Sequence, residues 1–461
     1  MPDELPRVTT RPATGLRSAE VTAEVTADVT VEVAVVGAGP AGAAAAITLA
    51  RAGCRVLVVD KARFPRDKCC GDGLTTGALR HLEHLGLDLR TMPSFTPVGS
   101  AWVRSPSGRT VEFPFPSGRG LYGAVVPRRE LDAALVDQAR AAGADVRDGH
   151  ALTGAADHGD GVRLTVDGIG VVDAQFAIGA DGMWSPLRKH LGLAPEGYLG
   201  DWHAFRQYAH GVTGSAAERL WVWFDRDLLP GYAWSFPLPD GRVNIGFGVL
   251  RDGHRRIQDM ASLWADLLQR LHVREALGPD VVFEDRHLAW PIPARIDTAI
   301  TGAGRVMFVG DAVAATDPLT GEGIGQALFT GIAAAEAVLS AGPTGDRVTT
   351  DPAAAVAHYR AAVRRELVPD HRMSIALGRV LRHERGARGS VRIAGMTDWT
   401  RRNFGRWLFE DEPRAVALTP GRWHRRFLDR DGAYREHVPN PTGTPTGAPT
   451  GAASAEASAR T

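Results

Sequence analysis

A glycine-rich turn at residues 37–42 is the feature that most constrains how this chain folds. Gly37, Gly39 and Gly42 form a G-x-G-x-x-G pattern that follows the apolar residues 33–36 and precedes an alanine-rich segment. In a strand–turn–helix unit the first glycine permits a sharp turn, the second lets a pyrophosphate approach the backbone, and the third lets the helix pack on the strand. The helix N-terminus then offers free N–H groups and a partial positive charge to phosphates.

An acidic residue completes this fingerprint. Asp60 ends the next apolar run, residues 56–59, about 20 residues after the turn, where a carboxylate binds the ribose hydroxyls of a dinucleotide. The unit therefore predicts a bound dinucleotide, although the same fingerprint occurs in sites for FAD and in sites for NAD.

Composition excludes several classes of protein. The 461 residues carry equal numbers of basic and acidic side chains, so no overall field favours nucleic acid as a partner. Three cysteines, Cys54, Cys69 and Cys70, are too few for a disulfide framework, and we expect a reducing, cytoplasmic location. The histidines lack the spacing of metal ligands, so no metal site is predicted. Residues 1–30 lack the pattern of a secretory signal and are interpreted as a flexible leader, and the Pro-, Thr- and Gly-rich residues 439–461 as a disordered tail.

Apolar periodicity predicts two kinds of sheet. After the β-α-β start, a helix is predicted near Leu74, and helical spacing continues at residues 128–143. Alternating residues 162–166 and 171–178 predict strands that return to the first sheet. The aromatic region 202–290 predicts a separate antiparallel sheet that carries the substrate, and the last predicted elements are a strand and helices: 306–309, 323–339 and a helix that begins after Asp351-Pro352.

Two further motifs follow predicted strands in the later part of the chain. Asp181-Gly182 follows the strand 171–178, and Gly310-Asp311 follows the strand 306–309, with Gly321-Glu322-Gly323 before the next helix. This order resembles the flavoprotein superfamily of para-hydroxybenzoate hydroxylase, which includes aromatic hydroxylases, halogenases and geranylgeranyl reductases. The resemblance implies that the cofactor is FAD, that the Gly-Asp pair holds its ribityl chain, and that the helix after Gly323 points its N-terminus at the flavin.

The resemblance also implies a set of cofactor-binding residues. Arg128 matches an arginine that contacts FAD in the family, whereas without the resemblance it reads equally well as a solvated arginine at a helix start. Asp311 has the alternative reading of a simple helix cap. The full set of predicted cofactor-binding residues is Gly37, Gly39, Ala41, Gly42, Asp60, Lys61, Lys68, Gly71, Gly73, Arg128, Asp181, Gly182, Gly310, Asp311, Gly321, Gly323 and Ile324.

Two segments are similar to one branch of this superfamily, the geranylgeranyl reductases. Residues 68–73, Lys-Cys-Cys-Gly-Asp-Gly, resemble the Lys-x-Cys-Gly-x-Gly loop of that branch, with Cys69 where many relatives have proline. Residues 232–237, Tyr-Ala-Trp-Ser-Phe-Pro, with Gly246 and Gly248 after them, match its Tyr-x-Trp-x-Phe-Pro motif, where halogenases carry Trp-x-Trp-x-Ile-Pro. The resemblance covers roughly residues 31–340.

The candidate catalytic residues come from these two segments. Tyr232, Trp234 and Phe236 alternate along a strand and are expected to form an aromatic wall beside an apolar substrate, although an ordinary sheet core has the same spacing. Gly246 and Gly248 would let a flavin ring or a prenyl tail lie against the backbone. Two residues, or a bound water, are candidates for the proton donor: Cys70 and Asp72.

The C-terminal region has two readings. Residues 372–435 combine an excess of arginine with tryptophan, phenylalanine and methionine. These helices either cap the substrate sheet or rest on anionic lipid at the inner face of the membrane.

These observations predict an α/β protein with a Rossmann-like FAD-binding domain, an inserted antiparallel substrate domain and a C-terminal helical region. The predicted parts are 31–200 and 294–345 for the FAD domain, with a substrate-side insertion near 95–120, then 201–293 for the substrate domain and 346–438 for the helices. We expect an enzyme that reduces carbon–carbon double bonds of an isoprenoid chain, with NADPH, ferredoxin or a quinol as external electron donor. The alternatives are an FAD-dependent monooxygenase that hydroxylates an aromatic or polyketide substrate and a non-catalytic flavin or lipid carrier.

Overall fold

The computed structural model describes residues 26–251, 257–342, 351–423 and 425–435. The predicted tail and most of the predicted leader lie outside the described residues.

The strands and helices are numbered here in chain order. The strands are β1 (Val29–Val36), β2 (Val56–Asp60), β3 (Gly73–Thr75), β4 (Thr96–Pro97), β5 (Ser100–Arg104), β6 (Thr110–Pro114), β7 (Gly123–Val125), β8 (Asp145–Asp148), β9 (Leu152–Asp157), β10 (Val162–Val166), β11 (Gly170–Gly179), β12 (Trp202–His210), β13 (Leu220–Trp223), β14 (Tyr232–Leu238), β15 (Arg242–Leu250), β16 (Val282–Phe283), β17 (Leu288–Ile292), β18 (Gly302–Ala303) and β19 (Val306–Phe308). The helices are α1 (Pro40–Arg51), α2 (Thr76–His84), α3 (Arg128–Ala141), α4 (Pro186–His190), α5 (Ile257–Gln269), α6 (Leu271–Leu277), α7 (Ile324–Ser340), α8 (Pro352–Glu366), α9 (Val368–Leu381), α10 (Glu384–Ala394) and α11 (Asp398–Leu408).

The first sheet contains the glycine-rich turn. Its strands run in the order β18-β19-β11-β1-β2-β8, and β1 pairs in parallel with both β2 and β11. A strand that is covered on both faces must be continuously apolar. Residues 33–36 of β1, which precede the turn, are all apolar and buried. Helix α1 lies against α7 so closely that a Cβ on Gly331 would lie 2.1 Å from Ala41 O. The predicted α/β class and Rossmann-like sheet are confirmed.

The second sheet is formed by the aromatic middle of the chain. Its order is β16-β12-β15-β14-β13-β5-β6, with β17 also paired to β12, and all pairs except β13 with β5 are antiparallel. β5 and β6, which lie in the substrate-side insertion predicted near residues 95–120, therefore form one end of this sheet.

The helix predicted near Leu74 is confirmed, with its start two residues later at Thr76. Residues Gly73–Thr75 form β3, which pairs with β7, and α2 begins at Thr76 with the Thr75 hydroxyl capping Ala78 N. The pairing with a distant strand overrides the local helical pattern.

The C-terminal helices cover the outer edge of the second sheet. Val391 and Ala394 of α10 pack in one apolar cluster with Val103, Val111 and Phe113 of β5 and β6. This contact confirms the prediction that the C-terminal helices cap the substrate sheet. None of the described helices is long and apolar enough to cross a membrane.

Candidate active site

A cavity of about 980 Å³ extends from the glycine-rich turn to the second sheet. Its volume lies at the upper end of the range for ligand sites. One end is lined by residues of the first sheet, among them Gly37, Gly39 and Asp60, and the other end by β14 and by α9, α10 and α11. One continuous space therefore joins the predicted dinucleotide end to the predicted substrate wall.

The glycines of the turn have separate structural roles. Gly37 has a φ of +102°, and a Cβ there would lie 2.3 Å from Ala180 O. A Cβ on Gly42 would lie 1.8 Å from Gly37 O, so Gly42 permits the close approach of helix and turn and does not line the cavity. At Gly39 the nearest atom to a Cβ is Arg66 Nη2 at 3.5 Å, which leaves this backbone open to a ligand.

The N-terminus of α1 is free of a side-chain cap. Its cap residue is Gly39, and Pro40 occupies the first helical position. Asp60 accepts hydrogen bonds from Ala38 N and Ala62 N, both at 2.8 Å, which fixes its carboxylate at the end of β2 beside the turn. Asp181 Oδ1 is buried without a hydrogen-bond partner among the described residues, and Asp181 also lines the cavity. Free donors and a free carboxylate oxygen are what a dinucleotide's phosphates and hydroxyls require.

The middle of the cavity lies at the N-terminus of α7. Gly310 has a φ of +59°, and Gly310, Asp311, Gly321, Gly323 and Ile324 all line the cavity. Asp311 lies in a short 3-10 turn without a side-chain cap bond, so the reading as a simple cap is not supported. The cap residue of α7 is Gly323, and this helix end can stabilise negative charge in the cavity.

Lys68 also lines the cavity. Its Nζ is 3.3 Å from the centroid of the Trp290 ring, a cation–π contact. Burial lowers the pKa of Lys68 to about 8, although Asp311 opposes the shift.

Asn244 of β15 holds the cysteine loop against the aromatic strand. Its Nδ2 donates to Cys70 O at 2.8 Å and to Asp72 Oδ2 at 2.7 Å, and its Oδ1 accepts from Trp234 Nε1 at 3.1 Å. The side chain is fully buried, so these three bonds fix the relative position of the loop and the wall.

Asp72 is the centre of this network. It is buried, has a φ of +64°, and accepts further hydrogen bonds from Tyr208 OH at 2.6 Å and Arg128 N at 3.2 Å. Burial raises the pKa of Asp72 to about 6, although Tyr208, Arg206 and Asn244 oppose the shift.

Cys70 is a free thiol beside Arg128. Burial raises the pKa of the Cys70 thiol, with Arg128 opposing, so the group is protonated at neutral pH. Arg128 is buried and bound to Asp132 at 2.7 and 2.8 Å, so it is not a solvated helix-start arginine. Cys69 is also free, and its Sγ donates to Leu288 O at 3.5 Å.

The alternating aromatic residues form one wall of the cavity. The centroids of Tyr232 and Trp234, and of Trp234 and Phe236, are each 6.2 Å apart. A Cβ on Gly73 would lie 3.0 Å from the Phe236 ring, so glycine lets the cysteine loop lie on the wall. The expectation that Gly246 leaves room for a flavin ring or a prenyl tail was wrong. The Trp234 ring occupies the space beside Gly246, and a Cβ on Gly246 would lie 2.4 Å from Trp234 Cζ2.

The cavity brings the predicted residues together. Gly42 and Gly246 lie outside its lining. The predicted cofactor-binding and catalytic residues that line it are Gly37, Gly39, Ala41, Asp60, Lys61, Lys68, Cys70, Gly71, Asp72, Gly73, Arg128, Asp181, Gly182, Tyr232, Trp234, Phe236, Gly310, Asp311, Gly321, Gly323 and Ile324. Their contact with a cofactor or substrate stays a prediction. The sequence interpretation missed Asn244, Tyr208 and Arg206, although an asparagine and an arginine inside largely apolar strands were visible signals.

Comparison with known proteins defines the class. The FAD binding domain family matches residues 30–335. The menaquinone reductase of Mycolicibacterium smegmatis is 37% identical over 350 residues, which cover 70% of this chain and 80% of that protein. Digeranylgeranylglycerophospholipid reductase 2 of Methanopyrus kandleri is 31% identical over 313 residues, covering 67% and 76%. The crystal structure of a geranylgeranyl bacteriochlorophyll reductase-like protein from Thermoplasma acidophilum superposes with a TM-score of 0.66 at 21% identity, covering 86% and 97%.

The fold and cavity therefore define an FAD-dependent oxidoreductase. Within that class, the chain belongs to the geranylgeranyl reductase family. The uncapped start of α1, the open backbone at Gly39 and the free oxygen of Asp181 fit the phosphates and hydroxyls of FAD, and the N-terminus of α7 fits its ring system.

Proposed function

We propose that this protein saturates carbon–carbon double bonds in the prenyl chain of a lipid. The observation that carries the proposal is the aromatic wall of Tyr232, Trp234 and Phe236 in the same cavity as the predicted FAD-binding glycines. A long apolar chain needs such a wall, since burial of its surface supplies the binding energy.

The prenyl side chain of a menaquinone is the first substrate to test. The mycolicibacterial relative named as a menaquinone reductase is 37% identical, whereas the archaeal relative named for a glycerophospholipid is 31% identical. Other geranylgeranyl groups and ether lipids belong to the same chemical class.

The chain's own residues provide position and a proton. Bound FAD supplies hydride chemistry at its ring. In this proposal Cys70, which lines the cavity and is protonated at neutral pH, gives a proton to the second alkene carbon, which an isolated double bond requires. Asn244 and Asp72 position the Cys70 loop through their hydrogen bonds, and the wall excludes water. We assign Asp72 this positioning role because its carboxylate already accepts bonds from Tyr208, Asn244 and Arg128.

Mass spectrometry of lipid quinones from cells with and without this protein tests the proposal. Each saturated double bond adds two hydrogen atoms to the quinone. With the purified protein, Cys70→Ala is expected to slow anaerobic turnover about 100-fold, the usual contribution of a positioned acid. Cys54→Ala, a buried cysteine outside the cavity lining, is the matched control. Oxygen-dependent formation of a hydroxylated product with unchanged double bonds would contradict the proposal and support a monooxygenase.

We further infer that an external donor reduces the protein in a transient complex. No second dinucleotide fingerprint occurs in the sequence. NADPH, a reduced ferredoxin and a quinol are compared by the rate at which each bleaches the oxidised flavin absorbance without oxygen. If none of the three bleaches it, the inference of a dedicated donor of these classes is wrong.

A lipid substrate also implies contact with a membrane surface. Trp399 at the start of α11, Met396 in the preceding turn and Ile393 of α10 are 59%, 68% and 64% exposed. Arg385, Arg388 and Arg392 are exposed on the same helix. Apolar residues among arginines are typical of surfaces that bind anionic lipid.

Flotation with phosphatidylglycerol vesicles at low salt tests this contact. Trp399→Ser is expected to weaken binding by roughly 10- to 150-fold, because the buried ring would contribute about 1.5–3 kcal/mol. Leu271→Ser, at a 73% exposed residue of α6, is the matched control. Absence of binding by the unmodified protein would contradict the membrane contact.

A further inference from the structure

A second, smaller space lies between α10 and α11, outside the cavity described above. This groove has a volume of about 380 Å³, and its lining includes Ile393 and Ala394 of α10 and Trp399 and Asn403 of α11. Ile393 and Trp399 are 64% and 59% exposed. The groove therefore opens at the surface of the C-terminal helices.

Three side chains separate this groove from the cavity. Ser390 of α10 and Phe404 and Trp407 of α11 line both spaces. Leu377 and Leu381 of α9 line the cavity as well, so its helical end is apolar on the inside. The groove therefore continues the apolar end of the cavity, with a wall one side chain thick between the two spaces.

The two rings of this wall are held in different ways. Trp407 Nε1 donates a hydrogen bond to Arg414 O at 3.2 Å, which fixes the indole. Phe404 is held by ring contacts, with its centroid 4.8 Å from that of Phe113 and 5.6 Å from that of Trp407. The half-buried Phe404 ring can turn aside without breaking a hydrogen bond of its own, so it is the part of the wall that an apolar chain can displace.

The groove suits an apolar ligand. Asn403 Nδ2 donates to Trp399 O at 2.9 Å, and the Thr400 hydroxyl donates to Thr397 O at 3.0 Å, so these polar groups of the lining bond to their own helix. Among the described residues that line the groove, none is charged. A ligand in the groove therefore gains from burial of apolar surface and finds no charge that would recognise an anionic headgroup.

The cavity alone is small for its proposed contents. Its volume of about 980 Å³ is typical of a site for one ligand, whereas the proposed function places both FAD and a prenyl chain in it. A long prenyl chain therefore needs further room, and the groove adds about 380 Å³ at the apolar end. The turn that joins α10 and α11 adds another exposed apolar side chain, Met396.

We propose that the far end of the substrate's prenyl chain leaves the cavity between Ser390 and Phe404 and lies in the groove between α10 and α11. The proposal rests on the proposed function for the identity of this occupant. The cavity then holds the inner part of the chain beside the cofactor, while the rest continues towards the lipid surface. The protein accordingly accepts chains longer than its cavity, and the inner part of the chain, rather than its total length, decides which double bond is reduced.

Thiol modification tests the occupant of the groove without turnover. Ile393→Cys in the FAD-loaded full chain is timed for its reaction with a water-soluble maleimide in detergent micelles, and the unmodified protein gives the background from its own cysteines. A long-chain menaquinone at about ten times its dissociation constant is expected to slow the reaction roughly tenfold, because the thiol then reacts only in molecules whose groove is empty. A short-chain menaquinone, whose side chain fits inside the cavity, should not slow it. Arg392→Cys, at an exposed residue of α10 outside both linings, is the matched control and is slowed by neither quinone.

Filling the groove tests its use in catalysis. Asn403→Trp places a ring in the groove at a residue that does not line the cavity. It is expected to lower the ratio of kcat/KM for long-chain over short-chain menaquinone about tenfold, the effect of losing the burial of about two methylene groups. Gly389→Trp, at a residue of α10 where an added Cβ meets open space, is the control and keeps the ratio.

Three results would overturn the proposal. They are equal modification rates with the long and the short quinone, an unchanged ratio in Asn403→Trp, and protection that rises with protein concentration without quinone, which would show that a second copy of the chain covers the groove. Failure of the proposed function is distinct from these. Long-chain menaquinone that protects residue 393 but is never reduced would contradict the reductase alone, whereas reduction of long-chain menaquinone without protection would contradict the groove alone.

Discussion

Replacing Asn244 with aspartate is the perturbation that most sharply tests how the site is held. The change keeps the shape of the side chain but removes both Nδ2 hydrogen bonds, at 2.7 Å to Asp72 and 2.8 Å to Cys70 O. It also places a new carboxylate beside that of Asp72. Burial has already raised the pKa of Asp72 to about 6. We therefore expect the cost of the substitution to depend on pH.

The magnitude follows from the bonds lost. A hydrogen bond to a charged group contributes about 1.5–3 kcal/mol and a neutral one about 1 kcal/mol, so Asn244→Asp should lower the free energy of unfolding by about 3 kcal/mol near pH 8. Near pH 5 a proton on either carboxyl restores a hydrogen bond between residues 244 and 72, and the loss should fall to about 1 kcal/mol.

Urea unfolding of the FAD-loaded protein at the two pH values measures both numbers. Asn403→Asp is the matched control, because the Asn403 side chain donates to Trp399 O at the exposed end of α11 and faces no carboxylate network. Equal losses at both pH values, or a loss under about 1 kcal/mol near pH 8, would refute the role assigned to Asn244.

Two further predictions concern the turn and two glutamates, Glu322, which lines the cavity, and Glu410, which follows α11. Gly39→Ala should fold normally and bind FAD more weakly, since its Cβ would make only an ordinary contact, 3.5 Å from Arg66 Nη2, on a backbone that is open to a ligand. Gly42→Ala should instead lower the melting temperature because its Cβ would lie 1.8 Å from Gly37 O. Thermal unfolding and flavin fluorescence titration compare the two variants, and equal folding defects would contradict the separate roles. Because the pKa values of Glu322 and Glu410 are raised in the folded protein to about 8 and about 7, the folded state binds more protons than the unfolded state between about pH 4.5 and pH 8. The free energy of unfolding should therefore fall as the pH rises through this range, and the fall should be smaller in Glu410→Gln; the same fall in both proteins would contradict it.

Local patterns in the sequence were sufficient to predict the glycine-rich turn and the aromatic strand of the site. The turn at residues 37–42 and the strands around it are fixed by neighbouring residues, and β14 follows its alternating aromatic pattern. The contact of this wall with the cysteine loop was not predicted, because residues 70 and 234 are far apart in the chain.

Contacts between distant segments account for what the sequence did not reveal. Asn244 meets Cys70 and Asp72 across more than 170 positions, as the separations of 174 and 172 show. Glu410 reaches Thr75 across 335 positions, from a region that sequence alone assigned to a cap or a membrane surface. Single polar residues in apolar strands signal such networks but not their partners. The filling of the space at Gly246 by Trp234 likewise depends on side-chain packing between strands.

Anaerobic single turnover tests the central claim most directly. The FAD-loaded protein is reduced with a stoichiometric amount of dithionite and mixed with a menaquinone while the flavin absorbance is followed. We predict that the oxidised flavin spectrum returns without oxygen and that the recovered quinone has gained two hydrogen atoms in its side chain. A flavin that stays reduced until oxygen is admitted, with the prenyl chain unchanged, would contradict a reductase whose aromatic wall holds a prenyl chain beside the cofactor.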